Sequence, residues 1–152
     1  MILPSVGTPA VQEAIREALP TRRKSEGWKA YIVDKSGIST TVHFTVGFYP
    51  DGRIGELWID MHKQGAALRD WSGMTAMMFS IMLQYGVPLK TVLDFCIDFS
   101  SEPAGSVKPS GEGGGQTRVR KCTSVVDMIA KTIAIEYLGR EDLADVPYGA
   151  SK

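Results

Sequence analysis

The sequence predicts an α+β fold, with a three-stranded antiparallel meander packed on one face by a helical hairpin and a C-terminal helix. Three observations support this prediction. Apolar residues alternate with a period of two between Trp28 and Met61, they recur at spacings of three and four between Gly65 and Tyr137, and the two patterns do not interleave. Strands followed by helices, without βαβ alternation, are typical of an antiparallel sheet covered on one face.

The N-terminal part, residues 1–27, is predicted to be a short helix followed by a basic linker. The helix spans Thr8 to Leu19, with Thr8 as its N-cap and Pro9 at the first helical position. Pro20 ends it, and three adjacent cations follow at Arg22, Arg23 and Lys24. Exposed cations are usually solvated, so we favour a solvated face over a phosphate contact here.

Three strands are predicted over Trp28–Val33, Val42–Phe48 and Arg53–Met61. Turn residues separate them at Asp34–Gly37 and at Tyr49–Gly52, where proline takes the second turn position and glycine the last. Consecutive strands joined by tight turns form a meander.

Two helices are predicted next, from Gly65 to Tyr85 and from Leu89 to about Phe99, joined at Gly86–Pro88. The first helix carries four methionines, a residue type used both for adaptable binding surfaces and as core filler. We expect core packing against the sheet. The apolar residues that recur at helical spacing are Leu68, Trp71, Met74, Met78, Ile81, Met82 and Tyr85.

The remaining chain is predicted to be a mobile loop, a last helix and a tail. Prolines and the glycine run of Gly111–Gly115 indicate the loop, within residues 103–116 of the segment from Ser100 to Gln116. Ser124 and Asp127 form a capping-box-like start for the helix, and Gly139 closes it. The α+β domain is therefore expected to span 28–146, with a tail at 147–152.

Composition excludes several classes of function. A chain of 152 residues fits one domain, and its 17 lysines and arginines balance 17 acidic residues, so bulk charge does not attract nucleic acid. Neither a signal peptide nor an apolar run of about 18 residues is visible, and Cys96 and Cys122 lack CxxC spacing. We expect a cytoplasmic protein in a reducing compartment, with no membrane partner.

The sequence predicts no catalytic or metal-binding residues. His43 and His62 are the two histidines, and neither lies in a known nucleophile context. A zinc site would have to combine them with Cys96, Cys122 and scattered carboxylates, and no ligand spacing supports that.

Two positions could bind a small anion or a nucleotide phosphate. One is the link from the third strand into the long helix, and the other is the basic stretch before the last helix, because backbone donors and the helix dipole favour anions at a helix N-terminus. A surface turn with cations is an equally good interpretation of each. The candidate residues are His62, Lys63, Gly65, Arg69, Arg118, Arg120 and Lys121.

Several segments together resemble the TSCPD domain, the C-terminal region of adenosylcobalamin-dependent (class II) ribonucleotide reductases. The similarity spans about Leu19 to Val146 in the same order, and collinear matches are more specific than any single motif. The matching segments are Leu19–Lys24, Asp51–Arg69, Leu83–Leu89, Glu102–Gly105, Thr123–Asp127 and Tyr137–Ala144. The glycine-rich stretch from Pro109 to Gln116 departs from the family pattern as an insertion.

The resemblance implies a limited role. In this family, ribonucleotide reduction uses a radical-bearing cysteine, a reducing cysteine pair and a carboxylate, all in a large barrel upstream of the matched region. We expect neither that barrel nor the cysteine-rich tail of the long reductases here, so adenosylcobalamin is not an expected cofactor. The resemblance therefore implies a free-standing accessory or regulatory module that binds a large reductase subunit or a nucleotide.

Other interpretations stay open at this stage. A repurposed or phage-encoded binding protein could sense or sequester a nucleotide-like anion, and a weaker alternative is a small enzyme using His62, Lys63 and Arg69. A homodimer could form through strand edges or helix packing.

Overall fold

The computed structural model describes residues 13–61, 64–111 and 116–149. In chain order its elements are β1 (Ser25–Val33), β2 (Ser39–Phe48), β3 (Ile54–Asp60), α1 (Ala66–Gln84), α2 (Leu89–Cys96), β4 (Gly105–Pro109), β5 (Lys121–Cys122), α3 (Val125–Leu138) and a 3-10 turn (Glu141–Leu143).

The α+β fold and the antiparallel meander are confirmed, but the sheet has five strands among the described residues instead of three. Its order is β3-β2-β1-β4-β5, and every neighbouring pair is antiparallel. The expectation of a mobile loop over 103–116 is wrong at β4, which pairs with the free edge of β1 through Val107 opposite Ile32. Pro109 is the last residue of that strand. At this position its missing N–H does not interrupt the hydrogen bonds within the strand.

The core lies between one face of the sheet and the helices. Alternate residues of β1, β2 and β3 point into it, and α3 packs there with Met128, Ile129 and Ile133 almost completely buried. Trp28 and Phe44, paired across β1 and β2, stack with ring centroids 6.1 Å apart.

The basic linker is partly strand, because β1 begins three residues earlier than predicted. Arg23 donates to Glu56 from two nitrogens, with Nη2 to Oε2 at 2.8 Å, and so attaches the linker to β3. The Glu56 side chain lies over Gly47, where a Cβ atom would overlap it. A larger residue at that point of β2 would displace the Glu56 side chain, which pairs with Arg23.

The predicted N-terminal helix is wrong for residues 13–19, which have no helical structure, whereas Thr8 and Pro9 lie outside the described residues. The backbone of Glu17 bonds to distant partners: its N–H donates to the Gln84 carbonyl at 2.8 Å, and its carbonyl accepts from Tyr49 Oη at 2.7 Å. Because tertiary partners use these groups, the local periodicity does not produce a helix.

Helix α1 lies along the outer edge of β3. Ser80 Oγ accepts a hydrogen bond from the Leu57 N–H at 2.8 Å, and Gln84 Nε2 donates to the Gly55 carbonyl at 3.0 Å. The helix thus satisfies backbone groups of a strand edge that would otherwise be open.

The expectation that the large apolar residues of α1 fill the core is mostly wrong. The residues that α1 buries are Ser72, Ala76, Phe79, Leu83 and Gln84. Three of these five residues are small or polar, and most of the bulky residues that the periodicity assigns to the core lie toward solvent instead. None of the helices in the described ranges is long and apolar enough to cross a membrane.

Candidate functional site

The first predicted anion site lies where the chain leaves β3 and enters α1. His62 and Lys63 fall outside the described residues, and the structure places Gly65 at the N-cap and Arg69 in the first turns, both exposed. Gly65 offers no side-chain cap, and the first turn contains no acidic residue. The first N–H groups of a helix have no partner within the helix, and Gly65 has no side chain that could accept from them.

Described residues on both sides of this link make hydrogen bonds. Met61 is buried, and its Sδ atom accepts from Ser72 Oγ at 3.1 Å. The Gln64 N–H donates to the Met61 carbonyl at 3.0 Å. The link therefore starts and ends at fixed points, which positions Gly65 relative to the sheet.

The second predicted site contains Arg118, Arg120 and Lys121, and the chain's own groups already bind its two arginines. Arg118 is buried and donates to both carboxylate oxygens of Glu141, with Nη1 to Oε2 at 2.8 Å and Nη2 to Oε1 at 2.6 Å. This hydrogen bonding raises the pKa of Arg118 and lowers the pKa of Glu141. Arg120 Nη1 donates to the Thr117 carbonyl at 2.7 Å.

Lys121 differs from these two arginines because its side chain is exposed. It lines an open cleft of about 980 Å³ between the β1–β2 turn and the chain before and after β4. The same cleft includes Asp34, Lys35 and Glu102, so its charges are mixed.

The helix N-terminus next to this stretch already holds a carboxylate. Asp127, in the first turn of α3, is completely buried, and its side chain accepts from the N–H groups of Asp98 at 2.7 Å and Thr123 at 2.9 Å. Its own N–H donates to Ser124 Oγ at 2.9 Å, which confirms the predicted cap. Lys131 Nζ lies 3.1 Å from Asp127 Oδ1 and 3.0 Å from Asp98 Oδ1, so this lysine pairs with two carboxylates.

The predicted residues do not form a single site. Gly65 and Arg69 follow β3, whereas Lys121 lies in β5, and these strands are the two opposite ends of the sheet. Ligand binding at either position stays a prediction. Of the two, the N-terminus of α1 has no side-chain cap and no acidic residue in its first turn, and the N-terminus of α3 is occupied by Asp127.

The cysteines and histidines show no active-site arrangement in the described ranges. Burial raises the pKa of both thiols, Cys96 and Cys122, and neither forms a disulfide. His43 is exposed on the open sheet face, opposite Asp60 in the register. No cluster of potential metal ligands occurs among the residues that the structure describes.

Sequence reasoning missed an exposed apolar surface, which we call the outer face of α1. Its exposed fractions run from 37% at Ile81 to 73% at Trp71. The signal was present in the sequence, because no charged residue occurs between Asp70 and Lys90. This outer face consists of Trp71, Met74, Met77, Met78, Ile81 and Tyr85.

Comparison with known proteins identifies the family. The family model of the TSCPD domain matches residues 13–137, which is most of the chain. This chain belongs to the TSCPD domain family. The match includes the whole sheet, α1, α2 and nearly all of α3, so the TSCPD assignment and the described fold cover the same unit.

Curated relatives of this TSCPD chain are much longer proteins. It is 40% identical over 131 residues to a vitamin B12-dependent ribonucleotide reductase of Agrobacterium fabrum, covering 86% of this chain and 9% of the relative. It is also 40% identical over 131 residues to a protein of the same name from Bradyrhizobium diazoefficiens, covering 86% of this chain and 10% of the relative. A relative of that name in Rhodopirellula baltica is 33% identical over 137 residues, with 90% and 12% covered. No solved structure matches the chain.

Proposed function

We propose that this TSCPD chain is an accessory or regulatory module of a class II ribonucleotide reductase system in deoxynucleotide metabolism. It binds a large reductase chain in the cytoplasm and performs no radical chemistry itself. The observation that carries the proposal is the match of 86% of this chain to about a tenth of a vitamin B12-dependent ribonucleotide reductase. The matched part has its own hydrophobic core, so it has the properties of a unit that can associate as a whole.

The state of the cysteines supports binding over redox chemistry. Thiolates are the reactive form of cysteine, and burial raises the pKa of Cys96 and Cys122, which keeps both thiols protonated near neutral pH. Cys122 is 8% exposed, so a second protein has little access to it.

The experiment uses the Agrobacterium fabrum reductase in two forms, intact and with its TSCPD region deleted. We expect the purified chain to bind the deleted form with a Kd of about 10 µM or tighter by calorimetry. Binding to the intact form should be at least about tenfold weaker, because the resident TSCPD region competes for the same surface. Cobalamin binding by both forms is the folding control.

Two results would contradict this function. Absence of heat with both reductase forms would remove the binding role. Conversion of a ribonucleotide to a deoxyribonucleotide by this chain alone would show that the chemistry lies within it.

A second candidate function is the binding of a nucleotide-like anion at the N-terminus of α1. It is favoured by the exposed Gly65, by the exposed Arg69 and by the absence of an acidic residue in the first turn. Lys63 adds a second cation close by in the sequence. Helix N-termini attract phosphate through their N–H groups and dipole.

Calorimetry of the chain against ribonucleotides, deoxyribonucleotides and cyclic nucleotides tests this candidate. The double change Lys63→Ala and Arg69→Ala should weaken binding about tenfold or more, with a Tm close to that of the parent, since surface changes rarely exceed ~0.5 kcal/mol. Lys108→Ala, at an exposed position of β4, is the matched charge control. Lack of heat with every nucleotide would eliminate the candidate, and unfolding of the double variant would indicate a structural role.

A further inference from the structure

We propose that this chain forms a two-fold symmetric dimer in which the outer faces of α1 from two copies pack against each other in antiparallel orientation. The inference depends on the described surface alone and is independent of the reductase-binding function. It also decides between the two routes to a dimer that the sequence leaves open, strand edges and helix packing.

The outer face of α1 has a large exposed area. The six side chains of the outer face of α1 together expose the equivalent of about three whole residues. At about 200 Å² for each large side chain, this is roughly 600 Å² of apolar surface on each copy. That value is the upper end for the largest patch of a monomer, about 300–600 Å², and close to the ~800 Å² that each partner buries in a stable complex.

The composition of the outer face of α1 is typical of a protein interface. From Trp71 to Leu89 the chain has no charged residue, and the exposed positions are methionine, tryptophan, tyrosine and isoleucine. The buried centres of protein interfaces are depleted in charge and enriched in aromatic residues and methionine. A second copy presents an equally uncharged surface, so packing the two faces together buries no unpaired charge from residues 71–89.

The residues of the outer face of α1 are spaced symmetrically along the helix. Met78 lies at its middle, with Trp71 seven residues before it and Tyr85 seven residues after it. Residues seven apart share a helix face. A two-fold axis passing near Met78 therefore places Trp71 opposite Tyr85 of the partner subunit at both ends and brings methionines together in between. A two-fold interface requires such a self-complementary surface.

Strand-edge pairing at the β3 side of the sheet would compete with bonds that α1 already makes. The edge groups of β3 at Gly55 and Leu57 already bond to Gln84 and Ser80 of α1. At the other end of the sheet, β5 has two residues, so its outer edge offers few backbone groups to a second copy. Because α1 lies outside β3, its outer face is at the boundary of the domain and open to a second copy.

Sedimentation velocity of the full chain tests the dimer from about 1 µM to about 500 µM, a range that brackets micromolar affinities. We expect the mass to rise from 16.6 kDa toward twice that value. Met78→Glu should weaken the dimer at least about 100-fold, because the two-fold axis places two carboxylates together. Phe95→Glu adds the same charge on α2, at a position 79% exposed outside the outer face of α1, and should leave the dimer intact.

A mixing experiment tests the symmetry directly. Met78→Glu and Met78→Lys should each be monomeric alone, and an equal mixture should dimerise, because opposite charges meet at the axis. Circular dichroism checks that each variant is folded.

Three outcomes would overturn the proposal. They are a parent chain that stays at 16.6 kDa throughout, a dimer insensitive to Met78→Glu, or variants that remain monomeric when mixed. A chain that is monomeric alone but binds the reductase would reject the dimer and leave the proposed function intact.

Discussion

Helices α1 and α3 contain similar apolar residues but use them in opposite ways. Helix α3 buries nine of its 14 residues, begins at a side-chain cap and ends at Gly139 in the left-handed conformation. Helix α1 buries five of its 19 residues and begins at an exposed glycine. Helix α3 packs most of its residues inside the domain, whereas α1 directs many of its bulky residues outward. Helical periodicity identifies both helices, and the surroundings decide what each face contacts.

The largest difference between the two helices is expected at the buried carboxylate of α3. Asp127→Ala removes the acceptor of two backbone N–H groups and a partner of Lys131. We expect the free energy of unfolding to fall by about 4 kcal/mol, because two backbone N–H groups lose a charged acceptor, whereas Lys131 keeps Asp98 as its partner with Nζ 3.0 Å from Oδ1. Urea denaturation measures it, with the exposed Asp142→Ala as the control that should change little. A loss under about 1 kcal/mol would show that water replaces the carboxylate.

Two methionines provide a matched test of the two faces. Met128 in α3 is completely buried and Met78 in α1 is 57% exposed. Met128→Ala should lower the free energy of unfolding by about 3 kcal/mol, and Met78→Ala by less than about 0.5 kcal/mol. The measurement is made at low protein concentration, so that association does not contribute. Equal losses would mean that α1 is packed as α3 is.

The helix caps should give a smaller effect. Ser124→Ala removes the acceptor for the Asp127 N–H, and we expect a loss of about 1 kcal/mol. Gly65→Ser supplies the side-chain cap that α1 lacks and should gain a few tenths of a kcal/mol, about 0.3. Gly65 has φ −58°, and nothing lies within 4 Å of an added Cβ, so the substitution fits. Thermal unfolding of both variants measures this pair, and destabilisation by Gly65→Ser would argue against an open N-terminus.

A pH-dependent effect is expected at the ion pair that joins Arg118 to the segment after α3. Because Arg118 lowers the pKa of Glu141 below its ordinary value of 4.5, this carboxylate stabilises the folded state above that pH, and the stabilisation disappears as the pH falls through the folded-state pKa. Glu141→Gln should therefore lower the Tm near neutral pH and match the parent in strong acid. Glu13→Gln, at an exposed carboxylate, is the control. A difference that persists in strong acid would point to lost packing instead of lost charge.

The features that could be predicted from the sequence are those that depend on neighbouring residues. Ser124 and Asp127 are three residues apart, and the turn at Tyr49–Gly52 closes with the Gly52 N–H on the Tyr49 carbonyl at 2.9 Å. The strand-to-helix link near Gly65 was found in the same way. These interactions are local, so composition and spacing contain the information.

The features that were missed depend on residues far apart in the chain. Residues 13–19 have helical periodicity, but Glu17 bonds to Gln84 and Tyr49. Strand β4 is recognisable only once β1 offers a free edge, because Pro109 and the following glycines resemble a loop. The basic stretch before the last helix predicts Arg118 as a ligand contact. Its actual partner, Glu141, is 23 residues away, so local sequence does not reveal the pair.

The two hydrogen bonds from α1 to β3 have a consequence for how the protein avoids misassembly. The outer strand of a sheet readily recruits further strands and can grow into fibrils. Here Ser80 and Gln84 bond to the outer edge of β3, so we expect the amide of Leu57 to exchange its hydrogen with solvent slowly, when α1 moves away from the strand. The hydrogen-exchange rate of this amide would therefore report how often the outer edge of β3 becomes available for pairing with another strand.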